Sequence, residues 1–206
     1  MEFLKKTTGI FSLLLLVNFA TAQDFSSIQK AFTESYNLEK SKNYDEAIKK
    51  MHIVYTADSY EMNLRLGWLE YSAKNYIVSQ THYTRALELM PYSEEAKFGL
   101  IYPKAALGKW NDVINLYNSI LTNSPNNTLA NYRLGLIYYN RKDYSKALTY
   151  FKKVVDLYPF DYDGLLMYAW ASFQTGKTRE AKILFNKVLM LSPSDESALE
   201  GLSLIK

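Results

Sequence analysis

The 206-residue sequence lacks cysteine altogether, has only five prolines and eight glycines, and carries a formal net charge of only +3. Without cysteine, the protein has no disulfide framework and no cysteine nucleophile. A charge this small, spread along the chain rather than collected in blocks, argues against a nucleic-acid partner. The glycines form no phosphate-binding loop, and the two histidines, His52 and His82, are not spaced as a metal-binding pair. The sequence therefore indicates neither an enzyme nor a cofactor or metal site.

The sequence has one long apolar run, which lies near the N-terminus. Two lysines precede the apolar residues at 10–19, and the small residues Ala20 and Ala22 follow them. This order is typical of a secretory signal peptide, and the run is shorter than the about 20 apolar residues that a membrane-spanning helix needs. We predict that residues 1–22 are removed and that the mature chain, 23–206, is exported to the periplasm or secreted, without stable membrane insertion. An uncleaved membrane anchor is the alternative.

Proline and aromatic residues recur along the rest of the chain at a fixed interval. Four of the five prolines are spaced 34 residues apart (125 − 91, for example), and so are two sets of aromatic residues. A constant period in this range indicates stacked supersecondary units. The three sets are Pro91, Pro125, Pro159 and Pro193; Tyr76, Trp110 and Tyr144; and Tyr83, Tyr117, Phe151 and Phe185.

The segment 128–161 shows the pattern most completely, with Leu134, Gly135, Tyr138, Tyr144, Ala147, Phe151 and Pro159. In these residues and their spacing it resembles the unit of the tetratricopeptide repeat family, a helix–turn–helix of about 34 residues in which the closing proline stands at position 32. The resemblance implies an all-α fold, a right-handed α-solenoid of about five repeats. The repeats are expected at approximately 28–59, 60–93, 94–127, 128–161 and 162–195.

Each marked position of the repeat has a packing role. Small residues at positions 8 and 20 let the two helices of a hairpin approach closely, whereas larger residues would overpack. Aromatic residues at positions 17 and 24 are expected to fill the space between one hairpin and the next. Trp110, at position 17 of its repeat, is therefore expected to fill such a space.

The register of the first repeat stays open. Its second helix is recognisable in the sequence YDEAIKKMHIV, at 44–54. Counting back from this helix places Ala31, Ser35 and Leu38 on the buried face of the first helix. A shift of two residues would instead bury Phe32 and Tyr36.

Two further segments depart from the regular pattern. Pro103 lies inside a predicted helix, where it removes one backbone hydrogen bond, so we expect a kink or an early break near Tyr102. Residues 196–206 resemble the start of another repeat without its second helix. They are predicted to form a capping helix that covers the last hairpin with Leu199 and Leu202.

The resemblance also implies a binding groove along the first helices of the repeats, at positions 5, 9 and 12. Position 9, which is often polar in the family, here includes Trp68 and Trp170, and neither is expected to be needed for core packing. A contiguous apolar stripe favours a contact surface, with packing inside the protein as the alternative. The predicted groove consists of Leu64, Trp68, Tyr71, Phe98, Tyr102, Tyr132, Leu136, Tyr139, Leu166, Trp170 and Phe173, and of Tyr36 if the first register is correct.

The sequence thus predicts a non-catalytic protein–protein interaction scaffold that binds a peptide or protein segment and is monomeric alone. Positions 5 and 9 lack the Lys and Asn with which some members of the family hold a C-terminal carboxylate, so that mode of binding is not expected. The alternative is a structural subunit of a cell-envelope assembly, packed permanently against one partner. A third interpretation is an accessory module of an enzyme complex.

Overall fold

A computed structural model describes residues 25–205 of the chain, and the predicted signal peptide lies outside these residues. All regular structure in this range is α-helical. None of the described helices is both long enough and apolar enough to cross a membrane. The helices are α1 (Phe25–Lys40), α2 (Tyr44–Val54), α3 (Tyr60–Ser72), α4 (Tyr76–Leu89), α5 (Glu94–Ala106), α6 (Trp110–Asn123), α7 (Thr128–Asn140), α8 (Tyr144–Leu157), α9 (Tyr162–Gln174), α10 (Thr178–Leu191) and α11 (Glu196–Leu204).

The chain divides into two compact units, the first ending at Tyr55 and the second beginning at Thr56. The first unit contains the hairpin of α1 and α2. Ala31 and Ser35 are buried in α1, whereas Tyr36 is 51% exposed. The first of the two registers considered for this helix is therefore correct, and the shifted one is wrong.

The second unit contains α3 to α11 and follows one period throughout. The first helices of its hairpins, and α11 after them, begin at residues 60, 94, 128, 162 and 196, and the second helices begin at 76, 110, 144 and 178. Each start lies 34 residues after the previous one, as the spacing of the prolines and aromatic residues predicts. The predicted all-α solenoid, with a capping helix at its C-terminal end, is confirmed.

Close contact between glycine and aromatic side chains joins successive hairpins. The ring of Tyr83 lies against both Gly67 of its own hairpin and Gly99 of the next, and a Cβ atom at Gly67 would come within 2.9 Å of that ring. The hydroxyl of Ser79 donates to the Gly67 carbonyl at 2.7 Å, so positions 8 and 20 meet as expected. Small residues here are required because the neighbouring ring already fills the space.

Helix α5 runs through Pro103 without a break, so the predicted early break near Tyr102 is wrong. The proline lies in the last turn of the helix and is buried. Its carbonyl accepts the Leu107 amide at 3.1 Å, and the Lys104 carbonyl accepts the Lys109 amide at 2.9 Å, so the turn is closed by its own capping bonds. Pro103 has no amide to donate to the Gly99 carbonyl, and the helix continues past this missing bond to Ala106.

The capping helix α11 covers the last hairpin with different residues from those predicted. Ala198 and Gly201 are buried, and Gly201 lies against the ring of Phe185. Leu202 is partly buried against the same core, but Leu199 is 48% exposed, so its predicted covering role is wrong. Small residues face the hairpin because the Phe185 ring projects into this interface.

Candidate functional site

The predicted groove residues lie on four consecutive first helices of the second unit, α3, α5, α7 and α9. Nine of the eleven are partly buried, which means that they rest on the core and still present surface to solvent. Trp68 and Tyr102, both at position 9, are exposed, by 38% and 50% respectively. The face is therefore apolar along its length, and it is most open on α3 and α5.

An aromatic cluster, formed by Trp68, Tyr71 and Tyr102, joins α3 to α5. The ring centroids of Trp68 and Tyr102 are 6.3 Å apart, those of Tyr71 and Tyr102 are 5.4 Å apart, and those of Trp68 and Tyr71 are 5.9 Å apart. These separations lie in the range in which aromatic pairs attract each other. The rings are inclined to one another, with Tyr102 edge-on to Trp68 at an interplanar angle of 75°, so each ring restricts the orientation of the others.

A cavity of about 410 Å³, the central pocket, opens beside this cluster between α5, α6 and α7. Tyr71 and Tyr102 belong to both features, and Phe98 and Leu136 of the predicted groove also line the pocket. The pocket exists because Ala105 stands at position 12, where the neighbouring first helices carry Tyr71, Tyr139 and Phe173. An alanine cannot fill the space that a ring fills elsewhere.

Ten of the fourteen residues that line the pocket were not part of the predicted groove, among them Arg133 and Trp110. Arg133 is exposed and is the one charged side chain among the residues that line the pocket. Trp110 lies at the pocket wall and is 47% exposed, so the expectation that it fills the space between two hairpins is wrong. The sequence signal for the pocket is Ala105, at a position where the other first helices of the second unit carry an aromatic residue.

Trp170 occupies the same repeat position as Trp68 but packs inside the protein. Its ring centroid lies 5.1 Å from that of Phe185 and 5.9 Å from that of Phe173. Its indole nitrogen donates to the Ser197 hydroxyl of α11 at 2.9 Å. The expectation that core packing does not need this side chain is wrong for Trp170, because α11 covers this end of the groove.

The walls of the central pocket carry the hydroxyl groups of tyrosines and one charged side chain, that of Arg133. Burial raises the pKa of Tyr117, which lines the pocket, above its ordinary value. Burial likewise raises the pKa of Tyr132, and the nearby carboxylate of Asp163 raises it further. Both phenols are neutral at physiological pH, so the Arg133 guanidinium supplies the charge of the site.

The described residues form no arrangement suited to metal binding. Between residues 25 and 205, no three His, Cys, Asp or Glu side chains come together as a ligand set. His82 is buried, with its Nδ1 atom 3.2 Å from Oδ1 of Asn63, and His52 packs edge-on against Tyr55. The aromatic cluster and the central pocket therefore offer apolar contact area, hydroxyl groups and one guanidinium.

Known proteins resemble this chain in sequence over α7 to α10 and in fold over most of its length. Tetratricopeptide repeat profiles match residues 129–161 and 162–195. No curated protein sequence matches the chain. A crystal structure of a tetratricopeptide repeat protein from Parabacteroides merdae superposes with a TM-score of 0.73 at 20% identity, over 86% of this chain and 72% of that one. MamA 41-end from Desulfovibrio magneticus RS-1 superposes with a TM-score of 0.68 at 17% identity, over 82% of this chain and 97% of that one.

Proposed function

Because this chain is a tetratricopeptide repeat protein, we propose that it is a non-catalytic scaffold that holds an apolar or aromatic segment of a partner protein. The binding surface in this proposal is the aromatic cluster together with the central pocket. The observation that carries it is the exposure of Trp68 and Tyr102 beside an open pocket on the same face. Aromatic residues of this kind supply most of the binding energy in many protein interfaces.

The surroundings of the cluster support a binding role over a packing role. Trp68 lies 38% exposed next to Tyr102, which is 50% exposed, although both side chains are large and apolar. Trp170, at the same repeat position, instead packs against Phe185 and donates a hydrogen bond to Ser197, as expected for a side chain that stabilises the fold. Exposed rings that hold each other in one orientation lose little conformational entropy when a partner covers them.

The volume and lining of the central pocket indicate which kind of partner side chain could enter it. Its volume of about 410 Å³ lies at the lower end of the range of small-ligand sites, roughly 300–1,000 Å³. Its lining is mainly apolar, with Arg133 and Asn140 as polar groups at the side of α7. We therefore propose that one large apolar side chain of the partner enters the pocket while the flanking residues lie across the aromatic cluster.

Photo-crosslinking from within the groove tests this proposal. A photoreactive phenylalanine at position 102 should capture a partner in the native cells, because Tyr102 borders both the cluster and the pocket. The same amino acid at position 183 is the matched control, because Ile183 is 60% exposed but lies on the second helix α10. Capture of the same partner at both positions, or at position 183 alone, would place the binding surface outside the groove.

We further propose that the protein acts after export, in the periplasm or outside the cell. The support is the sequence at 1–22, with its lysines, apolar run and small residues before the predicted cleavage site. Exported scaffolds meet their partners outside the cytoplasm, so the crosslinked partner should itself be an envelope or secreted protein. A cytoplasmic partner would contradict the proposal on location while leaving the groove proposal intact.

A further inference from the structure

The second unit carries a basic edge at the turns between the first and second helix of each hairpin. Every one of these four turns contributes at least one exposed cationic side chain. The turns lie side by side: the Lys109 ammonium donates to Gln80 of α4 at 3.2 Å, and the Arg141 guanidinium donates to Asn111 of α6 at 3.3 Å. The basic edge consists of Lys74, Lys109, Arg141, Lys142, Lys177 and Arg179.

The acidic side chains near this edge already have partners. The Asp112 carboxylate accepts from Lys104 at 2.6 Å, and Asp143 caps the amide of Lys146 and pairs with its ammonium at 3.0 Å. Glu180 accepts the Tyr168 hydroxyl at 2.5 Å. Two cations of the edge interact with these carboxylates: Lys177 lies 4.0 Å from Glu180, and the charge of Lys109 helps to lower the pKa of Asp112.

Two lysines of the edge occupy a backbone conformation that favours glycine. Lys74 has φ 67° and Lys142 has φ 62°, and the equivalent turns of the other two hairpins use Gly108 and Gly176 at 70° and 75°. The left-handed region is unfavourable for a non-glycine residue because its Cβ comes close to the following carbonyl oxygen. Glycine would relieve this strain at both turns, so the backbone conformation does not account for the lysines there.

Apolar side chains stand beside the cations on the same edge. Trp110 is 47% exposed, and Ile77 and Val78, in the first turn of α4, are 63% and 43% exposed. Lysine and arginine interspersed with tryptophan and aliphatic residues are typical of surfaces that rest on the headgroup region of a bilayer.

The opposite ends of the first helices are acidic. Glu61, Glu95, Asp163 and Glu196 all lie in the first turns of α3, α5, α9 and α11, and all four are exposed. An anionic surface would attract the basic edge and repel these helix starts. The charge distribution therefore fixes which side of the second unit can approach such a surface.

From these contacts we infer that the basic edge docks on a bilayer that contains anionic phospholipids, with Lys74, Lys109, Arg141 and Lys142 near the headgroups and Trp110 at their level. Each cation close to an anionic bilayer contributes about 1 kcal/mol of binding, so several together give reversible association without insertion. Trp110 also lines the central pocket, so the docked edge and the proposed partner site share this residue.

Vesicle binding by the full chain tests the inference. The wild-type chain should bind vesicles of phosphatidylglycerol and phosphatidylcholine more tightly than vesicles of phosphatidylcholine alone, and added salt should weaken this preference. The measured quantity is the ratio of the two affinities. The apolar residues at 10–19 are the same in every variant, so their contribution does not alter comparisons of this ratio.

The decisive variant is Lys74→Gly combined with Lys142→Gly. It should lower the affinity for anionic vesicles about tenfold to thirtyfold, since two cations are removed, while the melting temperature stays the same or rises because the backbone strain is relieved. The matched control is Lys153→Gln combined with Lys182→Gln, which removes the same charge from exposed sites on α8 and α10. This control should keep the wild-type ratio within about twofold, by the same estimate of the charge effect.

Quenching of tryptophan fluorescence by brominated phosphatidylglycerol reports contact at the edge itself. The quenching lost in a Trp110→Phe variant should account for most of the total, because Trp110 begins α6 directly after Lys109 of the edge, whereas Trp68 and Trp170 lie within first helices. An unchanged ratio in the double glycine variant would overturn the inference. Equal losses in the lysine-to-glutamine control would also overturn it, because binding would then follow net charge alone.

Discussion

At the scale of single residues, Trp68 and Trp170 show how one repeat position takes two roles. Trp68 is exposed in the aromatic cluster, whereas Trp170 packs on Phe185 and donates to Ser197. Both are large apolar side chains at position 9 of a first helix. The difference arises because α11 covers the end of the face that carries Trp170, while the part that carries Trp68 stays open.

We predict that Trp68→Ala weakens binding of the partner segment by about 1–3 kcal/mol but changes the free energy of unfolding little. Trp170→Ala should destabilise the fold more than Trp68→Ala, because it removes a ring from a packed interface. Phe151→Ala, at a fully buried position, is the comparison variant, and it should lower the free energy of unfolding by about 3–5 kcal/mol. Urea unfolding of the three variants and affinity for the crosslinked partner are the measurements.

If Trp68→Ala unfolds the protein as severely as Phe151→Ala, the aromatic cluster is part of the core, and the proposed function loses its main support. If the Trp68→Ala variant is stable and binds the partner as well as the wild type, the partner does not contact the cluster.

At the scale of secondary structure elements, helix α11 is a cover rather than the start of another hairpin. Its nine residues place Ala198 and Gly201 against the last hairpin, and its N-terminus is capped by Asp195, whose carboxylate accepts the Ala198 amide at 2.7 Å. Asp195 also accepts the Tyr162 hydroxyl at 2.5 Å, which ties α11 to the start of α9. A repeat array needs such a terminal cover because its last hairpin would otherwise expose an apolar face.

Deletion of 196–206 should lower the melting temperature and promote self-association, because it exposes Phe185 and the ring of Trp170. Leu199→Ser is the matched control: Leu199 is 48% exposed, so this change in the same helix should leave the melting temperature almost unchanged. Calorimetry and sedimentation velocity are suitable measurements. A deletion variant that melts like the wild type and stays monomeric would show that α11 does not protect the last hairpin.

At the scale of the whole molecule, stability depends on many tyrosines that are partly or fully buried. Burial raises the pKa of Tyr83, Tyr117 and Tyr168 above the ordinary value of about 10. A raised pKa means that the folded state holds the phenolic proton more tightly than the unfolded state does. The corresponding stability is fully present below about pH 10 and is lost as the pH rises above that value.

We therefore predict that the free energy of unfolding changes little between about pH 7 and pH 9 through these groups and falls steeply above about pH 10. Urea unfolding at a series of alkaline pH values measures this dependence. Tyr83→Phe keeps the ring between Gly67 and Gly99 and removes the ionisable hydroxyl. The free energy of unfolding of this variant should therefore fall less steeply above pH 10 than that of the wild type. Identical alkaline profiles for this variant and the wild type would contradict the assignment to Tyr83.

Export also concerns the whole molecule, and it remains a prediction from the sequence at 1–22. N-terminal sequencing of the protein from its native cells should begin at Gln23. Recovery of intact Met1 from a cytoplasmic fraction would show that no cleavage takes place. Sedimentation of the cleaved chain then distinguishes the two functional hypotheses. A scaffold is expected to be monomeric alone, whereas an obligate subunit should self-associate through its uncovered groove.

The sequence by itself determined the period and the helical hairpins, because their signals are local. A proline that ends a hairpin and a glycine that faces a ring act within one repeat or its immediate neighbour, so the helices of the second unit begin where the spacing predicts. The helix face formed by positions 5, 9 and 12 could be predicted for the same reason, and its role in binding stays a prediction.

Only the tertiary structure decided what each of those positions does. The central pocket depends on Ala105 lying opposite α7, and the partial burial of Trp170 depends on α11. The basic edge appears only when turns 34 residues apart lie side by side. Each of these features arises from contacts between neighbouring repeats. How much a side chain contributes to the free energy of unfolding depends on the residues that cover it, and its position in the repeat alone does not determine this.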